Sequence, residues 1–322
     1  DDCSSRGLGD VYKRQSGSCD VIIGYINSEH VGLEKMINLK AYYELCKPNV
    51  VLTMLVTALV GSLLASEVSN INFELILTSL IGIGLCACSA AAINQVIDRK
   101  IDANMSRTKG RPLPTGEIPI FNAILFSLFI GVSGFYLLLN YVNVLTAYLT
   151  IASLIGYAFV YTIYLKRATP QNIVIGGLAG AAPPLLGWTS ISGSIHPNSL
   201  LLVLIIFAWT PPHFWALAVH RKDEYAQESI PMLPVTHGIK FTKLQIILYT
   251  IILFLVSLFP YLVMMSGTFY LISATVLGSI FLYLSIKFFN DASNALALPT
   301  FNFSIYYILL IFLALLVDHF LL

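Results

Sequence analysis

Asn94, Asp98 and Asp102 stand four residues apart in NQVIDRKIDANMSRTKGRPLPTG, at the end of a long apolar stretch. On a helix that spacing puts all three side chains on one face. Carboxylates at i and i+4 repel each other by a few tenths of a kcal/mol on an exposed helix, and a charge at a bilayer centre costs about 2.5–3.5 kcal/mol. A row of this kind near a membrane wants a cation. Arg107, Lys109 and Arg111 follow in the next loop, so carboxylates and basic groups share one short segment. Magnesium is typically held by one or two carboxylates plus substrate phosphates, and arginine clamps phosphate oxygens in a fork. The segment suits a metal-bound diphosphate; the plainer alternative is a solvated loop whose charges pair with one another.

A second cluster, HRKDEYAQESIPMLPVTHG, offers Asp223, Glu224 and Glu228, with Glu224 and Glu228 again four apart and Arg221 and Lys222 beside them. Alone it is an ordinary charged loop. Its value is that it mirrors the first cluster: each follows an apolar stretch and each precedes a proline-bracketed turn, RPLP at 111–114 and PMLP at 231–234. Two acidic helix ends could then share metal ions around one diphosphate, with Asn94, Asp98, Asp102, Asp223, Glu224 and Glu228 as candidate ligands and the neighbouring Arg and Lys side chains on the phosphate oxygens. Within the apolar body, WTPPHFWALAVH places His213 just after two prolines. An imidazole at that depth is costly and commonly functional, as a contact to a heme iron or a carboxylate; the alternative is a histidine bonded to a backbone carbonyl that Pro211 and Pro212 leave free. Tyr157, Tyr161 and Tyr164 form an i, i+4, i+7 stripe. With Trp209, Phe214 and Trp215 they could wall an apolar pocket whose ring faces stabilise a carbocation, although packing is the blander account.

The elements that must position these groups are membrane helices. Of 322 residues 57% are hydrophobic and only 11% charged, and the mean hydropathy is +0.79, which excludes disorder and points to an all-helical polytopic membrane protein. A net charge of +1 from few, dispersed basic residues leaves no stripe for tracking nucleic acid. Apolar stretches long enough to cross about 30 Å of hydrocarbon recur near 49–66, 73–98, 118–139, 142–165, 172–190, 199–220, 241–265, 268–288 and 303–321. From Met36 onward every Lys and Arg falls on one side of this layout, Lys40, Lys47, Lys166, Arg167 and Lys287 among them, so the positive-inside rule puts the charged loops in the cytoplasm and Leu322 outside. The mirrored clusters suggest two four-helix halves and a final helix, with a shared site where the halves meet. Five cysteines form no secreted disulfide framework; Cys86 and Cys88, inside an apolar stretch, read as small core residues. Residues 1–35 are polar and patternless, and are expected to be a disordered, non-native extension ahead of one transmembrane domain, 36–322.

From Met36 to Leu322 the chain resembles the protoheme IX farnesyltransferases (heme O synthases), a branch of the UbiA-type intramembrane prenyltransferases. The resemblance lies in NxxxDxxxD running into SRTKGRPLPTG, in WTPPHFWALA and in DEYAxxxIPMLPVTHG. It implies nine transmembrane helices around a central cavity in the bacterial inner membrane and two acidic motifs that bind Mg2+ and prenyl diphosphate. The implied reaction transfers farnesyl from farnesyl diphosphate to a vinyl group of heme B, with water addition, giving heme O. By position Asn94, Asp98 and Asp102 form the first motif and Glu224 with Glu228 fall in the second. The family commonly has Asp before this Tyr where this chain has Glu224, so the division among Asp223, Glu224 and Glu228 stays open. A heme A synthase or a terminal oxidase is the implied downstream partner. Two other readings remain at this point: prenyl transfer to a quinone precursor or other aromatic acceptor, and secondary transport, whose carboxylates belong near mid-bilayer.

Overall fold

The computed structural model describes residues 38–321, and among them it contains helices and turns but no strand. Residues 1–35 lie outside the described residues. A short helix α1 (Leu39–Leu45) precedes α2 (Pro48–Ala65), α3 (Phe73–Asn104), α4 (Ile120–Tyr141), α5 (Val144–Ala168), α6 (Asn172–Ser192) and α7 (Pro197–His220). Two short helical segments, α8 (Lys222–Gln227) and α9 (Leu233–Thr236), lead to α10 (Ile239–Leu262), α11 (Thr268–Asn290) and α12 (Ala297–Leu321). Nine of these are long and apolar enough to span a bilayer, as the sequence predicts.

Their starts follow from local chemistry. Asn72 and Asn143 accept hydrogen bonds from the amides of Leu75 (3.0 Å) and Thr146 (2.8 Å), and α2 and α7 begin on Pro48 and Pro197, whose missing N–H is harmless in a first turn. The ninth span starts at Ala297 rather than 303, because Pro299 likewise sits in a first turn. α3 runs on to Asn104 rather than ending near 98, which keeps Asp102 on the same helix as Asn94 and Asp98.

Lipid is as apolar as a protein core, so membrane helices associate through close packing and polar contacts rather than through hydrophobic burial. Large apolar side chains accordingly point outward, Phe129, Leu255 and Ile272 among them, while small and hydroxylated residues such as Ser62, Ser89, Thr250 and Ser257 are buried between helices. α2 and the second half of α6 approach so closely that a Cβ on Gly61 would lie 2.1 Å from the Pro184 carbonyl oxygen, and one on Gly187 would lie 1.9 Å from that of Ala58. The Ser62 hydroxyl donates across the same seam to the Gly187 carbonyl (3.0 Å). α3 packs along α4, and α7 along α10, which are equivalent pairs in the two four-helix halves; α12 closes against α2, α7 and α11.

Candidate active site at one mouth of the bundle

Asn94, Asp98 and Asp102 share one buried face in the last turns of α3. The Asn94 amide donates to Asp98 Oδ2 (3.0 Å) and to Thr162 Oγ1 (3.0 Å). Three cations from three separate elements converge on the row. Lys47, just before α2, donates to Asn94 Oδ1; Lys166, at the end of α5, pairs with Asp98 Oδ2 at 2.7 Å; Arg111, in the 105–119 loop, pairs with Asp102 Oδ2 at 2.6 Å. Charge-assisted contacts this short, partly withdrawn from water, are far less screened than surface pairs. Burial first, and then the Arg111 charge, push the Lys47 ammonium down to about 7, against the pull of Asp102 and Asp98. The Thr108 hydroxyl donates to the Asp102 carbonyl (2.9 Å) and holds the loop's first turn against the helix end.

Glu224 and Glu228 lie at the same mouth. The Ser106 hydroxyl donates to Glu224 Oε1 (2.7 Å) and the Asn104 amide to Glu228 Oε2 (3.4 Å), so the first loop is stitched directly to the second acidic cluster. Between them opens a polar cavity of about 300 Å³, lined by Ser106, Arg107, His220, Arg221, Asp223 and Glu224. Burial, and then the neighbouring Arg221 and Arg111 charges, lower the Arg107 pKa; burial raises that of Tyr225. Lys109 is exposed and Lys222 half-buried, and neither makes an ion pair among the described residues.

The two acidic sets therefore meet at one end, but they do not form a ready-made cage: among the described residues no three His, Cys, Asp or Glu side chains converge as a metal site. Each carboxylate of the first row is instead matched to a cation. The donor set still fits a hard divalent ion. All candidate ligands are oxygen donors, and Asp98 Oδ1 and Glu224 Oε2 are buried without a hydrogen-bond partner. Magnesium needs only one or two protein carboxylates when phosphates supply the rest.

His213 sits on the face of α7 that meets α12. Its ring lies 4.2 Å from that of Trp209 and 4.5 Å from that of Phe301, stacked on both, and Nδ1 is 2.6 Å from the Ser304 hydroxyl. Trp209 Nε1 donates to the Ser304 carbonyl (2.7 Å). The histidine thus bonds a side-chain hydroxyl on α12 rather than a carbonyl left free by Pro211 and Pro212. Among the described residues its hydrogen bond and stacking contacts tie it to α12 and to its own helix.

The Tyr157–Tyr161–Tyr164 stripe does not hold together, and the cause is helical pitch. Residues 156–165 of α5 wind as a π-helix, with more residues per turn than an α-helix, so the 3.6 period fails there. Tyr157 and Tyr161 stack at 5.7 Å while Tyr164 points outward, 69% exposed. Phe214 is also exposed, and Trp215 is buried edge-on against Tyr249. The wide turn serves the site differently: Thr162 donates to the Tyr157 carbonyl (2.8 Å) and its oxygen receives the Asn94 amide. Cys86, as expected, is a core residue, its thiol 3.7 Å from the Gly131 carbonyl.

Sequence reasoning missed Lys47, Lys166 and Thr162. The two lysines carried a signal that pointed only to topology, since a Lys at the end of an apolar span marks its cytoplasmic side. A threonine in a run of GYAFVYTIYL carried none.

Known proteins share this sequence and fold. The family model for the UbiA prenyltransferase family matches residues 54–316. A protoheme IX farnesyltransferase of Stutzerimonas stutzeri is 57% identical over 281 residues, covering 87% of this chain and 94% of that protein; one from Legionella pneumophila is 57% identical over 284 residues, covering 88% and 96%. A solved digeranylgeranylglyceryl phosphate synthase superposes with a TM-score of 0.75 at 21% identity, covering 88% of this chain and 99% of its own. A UbiA homologue from Archaeoglobus fulgidus bound to GPP and Mg2+ gives 0.59 at 17% identity, covering 85% and 99%. At these identities the solved structures establish a shared fold, whereas the family match spans most of the chain, and this protein belongs to the UbiA prenyltransferase family.

Proposed function

We propose that this protein transfers the farnesyl group of farnesyl diphosphate to a vinyl group of heme B, with addition of water, giving heme O and diphosphate. The observation that carries this is the buried Asn94–Asp98–Asp102 row, matched to three cations and joined through Ser106 and Asn104 to the second acidic cluster. The choice of farnesyl and heme rests on relatives named for that activity at 57% identity over nearly their whole length. A carboxylate site for transport belongs near mid-bilayer; Asp98 lies six residues from the end of α3, about 9 Å at 1.5 Å per residue.

Asn94, Asp98 and Asp102, with Glu224, Glu228 and Asp223 from the facing cluster, would hold Mg2+, which when bound neutralises charge on the departing diphosphate. The chain's own cations share that task. Lys47, Lys166 and Arg111 are already fixed by their carboxylate and amide partners, so they stabilise the developing negative charge without reorganising. The C–O bond breaks to give diphosphate and an allylic cation, which the electron-rich vinyl carbon attacks; water then adds to the resulting porphyrin-side cation and its proton passes to the released diphosphate. The apolar interior keeps water from the first cation. No side chain need act as a covalent nucleophile. His213 keeps the role of heme contact as a proposal, exerted through its Trp209–Phe301 stack.

The mouth faces the cytoplasm of a bacterial inner membrane, and the product passes to a heme A synthase or a terminal oxidase. The uneven distribution of Lys and Arg between the two ends of the bundle supports the orientation. The test is to incubate membranes containing the protein with heme B, farnesyl diphosphate and Mg2+ and to search by mass spectrometry for hydroxyethylfarnesyl heme. Its formation is expected; its absence beside prenylation of an aromatic quinone precursor would replace the acceptor.

A further inference from the structure

The hydrogen bonds around His213 decide which of its ring nitrogens carries the proton. Ser304 Oγ lies 2.5 Å from the Phe301 carbonyl oxygen and 2.6 Å from His213 Nδ1. Two oxygens that close repel unless a proton lies between them, and a carbonyl only accepts, so the one hydroxyl proton of Ser304 goes to Phe301. Ser304 Oγ must then accept from His213, which carries its proton on Nδ1 and leaves a bare lone pair on Nε2. Nε2 has no hydrogen-bond partner among the described residues. His213 keeps 7% of its surface, and Nε2, unlike the indole nitrogen of Trp215, is not sealed away from it. Trp209 and Phe301 cover the imidazole faces at interplanar angles of 22° and 27°, which leaves the edge of the ring for a ligand.

We propose that His213 Nε2 is an axial ligand of the heme iron, and that Ser304 is the positioning residue that fixes the ring and keeps Nε2 unprotonated for it. The inference rests on heme B being the acceptor and adds which atom grips it and what holds that atom. A neutral imidazole that donates its other N–H to a fixed oxygen is the usual state of a metal-binding histidine, because the outer bond selects the tautomer and makes the free nitrogen more basic. Coordination uses the Nε2 lone pair, transfers no proton and displaces only a weak axial ligand such as water. A histidine that merely packs in an apolar seam would be expected to use both nitrogens, since an idle polar atom there is costly. Depth agrees with the assignment. His213 stands seven residues before His220, which lines the polar cavity at the mouth. Seven residues return to nearly the same helix face and span about 10.5 Å at 1.5 Å per residue. Ser304 is likewise seven residues from the start of α12 at Ala297, and the Trp209 indole donates to its carbonyl (2.7 Å), so both partners sit at one level, clasped together. Gripping the iron fixes the centre of the macrocycle and leaves its rim, where the vinyl carbons are, free to meet the allylic cation.

The test loads the purified, nanodisc-embedded protein with heme B, reduces it, adds carbon monoxide and records resonance Raman spectra just after photolysis, when only the proximal ligand remains on the iron. Wild type should show the iron–histidine stretching band, H213A should lack it, and added imidazole should restore it. S304A removes the acceptor of the Nδ1 proton, so its band should persist at lower frequency and ferric heme B should bind about tenfold or more weakly. S304T keeps the hydroxyl and should match wild type. Metal-free protoporphyrin IX offers no iron and should bind S304A and wild type within about twofold. Absence of the band from wild type overturns the proposal without recourse to any variant. An unshifted band in S304A, or equal losses of heme B and metal-free porphyrin, overturns the role of Ser304 and returns it to packing. A wild type that shows the band yet makes no farnesylated heme overturns the proposed reaction and leaves the ligand site standing; farnesylated heme without the band does the reverse.

Discussion

Asp98 is the residue on which the inner site turns. Its Oδ2 accepts from the Asn94 amide and the Lys166 ammonium, while its Oδ1 is buried without a partner. Asp98→Asn preserves shape and can still accept from Lys166, but removes the negative charge and one hard metal ligand. Transfer is expected to fall by at least about 100-fold, the order of loss when one preorganised electrostatic group is removed, with the protein still inserted and its melting curve close to wild type. Product formation and thermal unfolding of the same preparation check this; wild-type turnover would remove Asp98 from the reaction. At this scale the sequence was informative about acids and poor about their partners. The i, i+4 spacing of Asn94, Asp98 and Asp102 is a local property, whereas Lys47 and Lys166 reach the row from positions 47 and 68 residues away along the chain.

Helix-to-helix contact decides whether those distant groups arrive. The seam between α2 and α6 fixes where α2 lies in the bundle and hence where Lys47, just before it, stands, and it depends on two glycines at which any side chain would meet a backbone carbonyl. Gly187→Ala should destabilise the protein by about 1–3 kcal/mol, the usual cost of overpacking, read as a lower melting temperature in detergent. Gly180→Ala, on the same helix where an added Cβ meets nothing within 4 Å, should leave the melting temperature unchanged or slightly raised. The π-helical segment of α5 is the element that sequence periodicity could not supply. A 3.6-residue period fits Tyr157, Tyr161 and Tyr164 on one stripe, and the wider turn separates Tyr164 from the other two and points Thr162 at Asn94.

Across the whole molecule, charge and apolar surface divide by position. The connections at 66–72, 142–143, 193–196 and 263–267 contain no Lys or Arg, whereas the opposite end carries Lys47, Arg107, Lys109, Arg111, Lys166, Arg167, Arg221 and Lys222. With the mouth in the cytoplasm, a membrane-impermeant thiol reagent applied to intact cells should label Ser194→Cys, in an exposed connection, and should label Ala292→Cys only after permeabilisation, in a background whose own cysteines are replaced. The reverse pattern would put both acidic clusters outside and sever the site from a cytoplasmic supply of diphosphate.

By itself the sequence determined nine apolar spans, the gathering of basic residues at one set of their ends, the family and the two acidic clusters, because each is written in consecutive residues as length, composition or helical spacing. Only the tertiary structure decided which cations meet which carboxylates, that His213 bonds Ser304 on another helix, and that Arg107 and Arg221 line one cavity with Asp223 and Glu224. These depend on where helices far apart in the chain come to rest against one another. That packing is governed by backbone approach at a few small residues and by one change of helical pitch, neither of which leaves a periodic trace in the chain.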